Sequence, residues 1–180
     1  MPLSKKDAMD KDQILQQLEH IREFQINDLK KADETGANFL VCVGCLNATE
    51  VLGGIRTGLI GKERHAKRRL SSGLDLLGSV YRHHEKDIFD LRNSMVHAYL
   101  GKTENYSQVD ITNKTDRFAQ LLPPLRSFGI LIANGRFTVN VSKWIEDLDD
   151  AWRKLVDELK ADSARMASIG TALEALPYLR

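Results

Sequence analysis

A chain of 180 residues, 42% hydrophobic and 28% charged, can bury most of its unfolded surface around one core and needs no scaffold from its two cysteines. Twenty-six Lys and Arg against twenty-five Asp and Glu leave a net charge of +1, which excludes a chain-wide nucleic-acid footprint and confines any basic patch to one locality. No apolar run approaches the ~18 residues of a membrane span, and Met-Pro-Leu-Ser-Lys-Lys-Asp opens the chain without an apolar signal region, so the expectation is one cytoplasmic domain over residues 1–180 with no membrane partner.

Residues 1–10 are polar and hold no apolar repeat, which predicts a loose N-terminus. Ile14, Leu15, Leu18, Ile21 and Leu29, with Phe24 and Ile26 less regularly placed, predict an amphipathic helix ending near Gly36. From Asn38 to Gly58 the chain is apolar on nearly every side, as in a central buried helix. Gly44, Gly53, Gly54 and Gly58 weaken that helix, and their compensation is the close approach of another backbone. The basic stretch Lys62, Arg64, Lys67, Arg68 and Arg69 crowds around His65 and reads as the charged entry to a helix carried by Leu70, Leu74, Leu77 and Val80. His83, His84 and Glu85 predict a bend, and Ile88, Leu91, Met95 and Tyr99 predict a helix stopping at Gly101.

Lys102 to Lys114 is polar, with Val109 and Ile111 alternating, and Pro123-Pro124 interrupts whatever helix Arg117 to Leu122 begins. The period then changes. Ile130 to Ala133, Asn134-Gly135 and Arg136 to Val141 predict a two-stranded hairpin closed by a type I′ turn. Ser142 is the expected cap of a long final helix with Trp144, Ile145, Leu148, Trp152, Leu155, Val156 and Leu159 on its apolar stripe. A weakly helical tail, Met166 to Leu179, follows. The expected fold is mainly α, a helical bundle with a small β-hairpin near residues 130–141.

Several chemical motifs fail on inspection. Cys42-Val43-Gly44-Cys45 has the spacing of a zinc or redox pair, but no second pair completes a tetrahedral site and its apolar setting raises a thiol pKa. Buried small residues are the better reading, so no metal site is expected. Gly101-Lys102-Thr103 and Gly61-Lys62 lack the earlier glycine of a phosphate-binding loop, where Val96 and Arg56 stand instead. His20, His65, His83 and His84 sit among polar neighbours and bends and are expected on the solvated surface.

Asp87 to Leu100 is different, because Arg92, Asn93 and His97 lie on an otherwise apolar helix. Asn93 and His97, four apart, share a face, whereas Arg92 and His97 are about 140° apart on an ideal helix. Taken alone, these residues fit either a buried salt bridge with a satisfied core histidine or a catalytic constellation.

Arg92-Asn93-x-x-x-His97 followed by Ala98-Tyr99 resembles the signature of HEPN domains, an Arg and a His separated by four to six residues. The resemblance extends over about residues 36–160: HEPN proteins are helical bundles whose central apolar helix often carries an acidic residue, here Glu50, and the stretch from Gly135 to Leu159 is similar to one branch of the family. It implies a metal-independent endoribonuclease of toxin or antiviral type with no cofactor, cleaving RNA by attack of the 2′-hydroxyl on the adjacent phosphate. Arg92, His97 and Asn93 would be catalytic, Asn93 by orienting His97 or holding a phosphate oxygen. Glu50 would pair with Arg92 from the facing helix, and Tyr99 would be supporting. Lys62, Arg64, Lys67, Arg68 and Arg69 are either a solvated helix entry or a weak track for RNA phosphates. One histidine per chain suits a homodimer that shares its cleft. The alternative is a non-catalytic HEPN module for dimerisation or partner binding; a cognate antitoxin or a nucleotidyltransferase is the kind of partner the resemblance allows.

Overall fold

The computed structural model describes residues 9–98, 101, 103–106, 108–116 and 127–174; the side chains of residues 63, 96–98 and 174 lie outside the description. Within these bounds the chain is mainly helical with a small three-stranded sheet. In chain order the elements are α1 (Lys11–Glu34), α2 (Asn38–Thr57), a 3-10 turn (Glu63–His65), α3 (Ala66–Leu77), α4 (Ser79–His83), α5 (Glu85–Ala98), β1 (Gln108–Thr112), β2 (Ile130–Ala133), β3 (Arg136–Asn140), α6 (Val141–Ala161) and α7 (Ser163–Glu174).

Residues 1–8 of the expected loose terminus lie outside the described residues. Asp10, expected to be loose, instead fixes the start of α1 through a capping box: its carboxylate accepts from the Gln13 amide at 2.8 Å while the Gln13 side chain accepts from the Asp10 amide at 3.0 Å. Two orphan amides are satisfied at once. Ile14, Leu18, Ile21, Ile26 and Leu29 face the core, and the helix ends before Gly36.

Helix α2 is the centre of the bundle and packs on α1, α3, α5 and α6. It is long and apolar enough to span a bilayer by length and composition, which corrects the expectation that no such run exists. Its apolar window has a mean hydropathy of 1.4 and is 61% buried inside the protein, as a core helix surrounded by other helices must be. The glycines predicted to admit a neighbouring backbone do so at Gly53: a Cβ there would overlap the carbonyl oxygen of Arg69, and one on Gly73 would overlap that of Thr49. Helices α2 and α3 therefore meet backbone to backbone.

The helix expected to run through Val80 breaks at Gly78, whose φ of 120° and ψ of −179° no side-chain-bearing residue adopts comfortably. The short α4 follows, with Tyr81 buried and donating to Asp147 at 2.7 Å. His84 also departs from expectation. It is half-buried, stacked edge-on against Phe137 and His83, and burial, reinforced by His83 and opposed by Asp87, holds its pKa below the usual imidazole value. The other three histidines outside the motif are exposed.

The predicted hairpin forms, with Asn134 at φ 53° and Gly135 at φ 71°, the positive pair a type I′ turn demands. It is not alone: β1 pairs in parallel with β3, giving the order β1-β3-β2 with Ile111 and Ile130 both opposite Val139. The alternation at Val109 and Ile111 was its only local trace. The expected cap of the last long helix moves by two residues. Asn140 accepts from the Lys143 amide at 3.2 Å, and Ser142 sits inside the first turn, buried, donating to Asp33 at 2.7 Å. Trp144 and Trp152 are fully enclosed, and Trp144 donates to Thr49 at 3.2 Å. Arg56 on α2 forks onto Glu158 of α6 through contacts of 3.1 and 3.0 Å. The segment expected to be interrupted by Pro123-Pro124 lies outside the described residues, as does the chain beyond Glu174.

Candidate anion-facing site on helices α2, α3 and α5

Helix α5 begins with Glu85 and Asp87 in its first turn, where carboxylates oppose the positive end of the helix dipole. Ile88, Leu91 and Met95 then point into the core. That phase leaves Arg92 and Asn93 only partly covered, on the flank that meets α2. From α2, Glu50 projects toward the same place; it is 8% exposed, one of the few carboxylates that this core admits.

The expected pair is present: Arg92 Nη2 donates to Glu50 Oε2 at 3.0 Å. Arg92 Nη1 also donates to Asn93 Oδ1 at 3.2 Å, whereas Arg92 Nε is buried without a partner among the described residues. What the sequence reading missed is a second guanidinium. Arg69 of α3 approaches the other carboxylate oxygen, with Nε donating to Glu50 Oε1 at 3.1 Å and Nη2 closing onto the same atom. Its Nη1 donates to the carbonyl oxygen of Lys62, which ties the loop before α3 to the site.

Arg69 is therefore not a member of a solvent-facing basic track. The backbone contact at Gly53 places α3 against α2, and a Cβ on Gly54 would come within 3.0 Å of Arg69 Cδ, so the arginine stem lies directly across the α2 surface. Lys62, Arg64, Lys67 and Arg68 are exposed, with Lys67 Nζ resting 5.8 Å from the centre of the Phe89 ring. No signal in the basic run distinguished Arg69 from its neighbours except phase. It directly precedes Leu70, the first buried residue of α3.

A cavity of about 420 Å³ opens beside these groups. Glu50, Arg69, Arg92 and Asn47 line its polar side; Ile21 of α1, Val51, Gly54 and Ile55 of α2, and Ile60 and Gly61 of the following loop line the rest. Asn47 could have been read from the sequence, since it stands one turn before Glu50 on the same helix face. One carboxylate against two guanidiniums leaves an excess positive charge at side chains of which only 11%, 12% and 18% is exposed for Glu50, Arg69 and Arg92. Such a site favours an anion, because a cation withdrawn from water and left uncompensated is costly.

The backbone of His97 continues α5 five residues beyond Arg92; its side chain, and Tyr99 altogether, lie outside the described residues. The thiols of Cys42 and Cys45 are free and buried. Burial pushes that of Cys42 up to about 12 and that of Cys45 well above its ordinary range, so neither is a thiolate near neutrality. Among the described residues no three His, Cys, Asp or Glu side chains gather in a way that could hold a metal ion. In comparisons with family models, with curated proteins and with solved structures, the chain has no match.

Proposed function

We propose that the protein is a HEPN-type, metal-independent endoribonuclease of the toxin or antiviral kind, acting as a homodimer on RNA. The observation that carries this reading is the Glu50-centred pair of guanidiniums beside an open cavity, with Arg92 on the same helix as His97. In the reaction the 2′-hydroxyl attacks the adjacent phosphorus, its proton leaves to a base, and the bond to the 5′-oxygen breaks as that oxygen takes up a proton. The products are a 2′,3′-cyclic phosphate and a 5′-hydroxyl. Arg92 holds the phosphate and stabilises the charge that grows on its oxygens. Glu50 aims that guanidinium, and His97 takes or returns the proton, the role an imidazole suits in general acid–base chemistry. Two copies supply two histidines, one as base and one as acid, when the α5 helices lie beside a twofold axis.

RNA incubated with purified protein at neutral pH in the presence of a chelator is the test. Wild type is expected to cut, leaving cyclic-phosphate ends, and His97→Ala is expected to lose about 10²-fold or more in rate. Every tested RNA remaining intact, or His97→Ala cutting as well as wild type, overturns the proposal. A non-catalytic HEPN module, using this helix for dimerisation or for a partner such as an antitoxin or nucleotidyltransferase, is the second reading. It is favoured by the engagement of Arg92 with both Glu50 and Asn93, as in a structural ion pair.

A further inference from the structure

We infer that the cavity beside Glu50 seats one nucleotide unit, its phosphate on the two guanidiniums and its base against the apolar wall; this rests on the ribonuclease reading and names what that site holds. The polar side has capacity to spare. A guanidinium carries five N–H donors. Arg69 commits three of them, two to Glu50 and one to the Lys62 carbonyl, and Arg92 commits two, to Glu50 and Asn93. The remaining donors on the terminal nitrogens and the surplus positive charge suit the delocalised oxygens of a phosphate; Arg92 Nε, being buried, is not among them.

The rest of the cavity is not built for a bare inorganic anion. Val51 and Ile55 on one turn of α2, with Ile21 of α1 and Ile60 of the loop after α2, offer an apolar surface continuous with the charged side. About 420 Å³ lies low in the ~300–1,000 Å³ range of small-ligand pockets, room for one nucleoside-sized body and not for a duplex. A flat base has apolar faces for this wall and a polar edge that needs a partner. Asn47, at the polar margin, carries both a donor and an acceptor. Gly58 and Gly61, at φ 66° and 69°, turn the loop that brings Ile60 to the pocket lining. An anion with a flexible alkyl body would gain the wall but not the amide, which separates the two ligand classes.

Calorimetric titration of the full chain with adenosine and uridine 3′-monophosphates, inorganic phosphate, the free nucleosides and hexyl phosphate tests the inference. At least one mononucleotide is expected to bind about tenfold or more tighter than inorganic phosphate, its own nucleoside or hexyl phosphate. Val51→Trp, which fills the wall, should bring mononucleotide affinity down to that of phosphate; Ile60→Trp on the loop does the same if the helix variant does not fold. Mononucleotides binding no tighter than inorganic phosphate, or hexyl phosphate binding as tightly as either, overturns it. RNA left uncut while the mononucleotide preference holds removes the ribonuclease reading and keeps the pocket. RNA cut without that preference removes the pocket alone.

Discussion

Glu50 is the residue on which the polar site depends, since it is the one described carboxylate between two guanidiniums in an apolar helix. Removing it leaves two buried cations facing each other, so Glu50→Ala should lower stability by about 3 kcal/mol in urea unfolding. Adding Arg69→Met should recover part of that loss, because it deletes one of the stranded charges; a double variant no more stable than the single would contradict the geometry. His84 makes a pH prediction. Its folded pKa is depressed by burial, so below the ordinary value of ~6.5 the unfolded chain binds the extra proton first. The neutral ring's contribution is whole above that pH and is lost as pH falls through the depressed value. The urea midpoint should therefore drop between pH 7.5 and 5.5, and His84→Gln should flatten that drop. An unchanged slope in the variant would assign the pH dependence elsewhere.

At the scale of elements, the pairing of α2 with α3 is set by two glycines rather than by side-chain interdigitation. Gly53→Ala drives a methyl group into the Arg69 carbonyl, a backbone atom that cannot rotate away. Overpacking of this kind is expected to cost about 3 kcal/mol. It should also shift Arg69 from Glu50, so anion binding weakens along with the thermal midpoint; Gly53→Ala that melts like wild type would mean the helices are not in backbone contact. The sheet illustrates a different dependence. β2 and β3 carry their own turn chemistry in Asn134-Gly135 and form locally, whereas each β1 residue needs a partner 28 positions later in the chain, as Gln108 does in Arg136. Parallel pairing of this sort leaves no signature at a turn.

For the whole molecule, the proposed working unit is a pair of chains with the α5 helices near a twofold axis. Light scattering at micromolar concentration should give twice the chain mass, and an excess of His97→Ala chains mixed with wild type should lower the cutting rate per wild-type chain, because hybrid dimers hold one histidine where the reaction needs two. A strict monomer, or wild-type activity left unchanged by the excess of His97→Ala chains, would end this proposal.

Most of the helices, their amphipathic phases, the central position of α2 and the turn at residues 134–135 follow from the sequence by itself, the break at Gly78 and the cap at Asn140 excepted. Period, capping chemistry and positive-φ preference are local properties that neighbouring residues encode. The pairing of Glu50 with Arg92 was legible for a related reason: a lone carboxylate in an apolar helix demands a cation, and the cation on the other apolar helix was the natural one. Only the tertiary structure decided that Arg69 leaves the basic run to share Glu50, that β1 joins the hairpin and that an apolar cavity opens beside the charges. Each depends on how closely two backbones approach across long sequence separations, and that distance is set by packing, which no window of sequence contains.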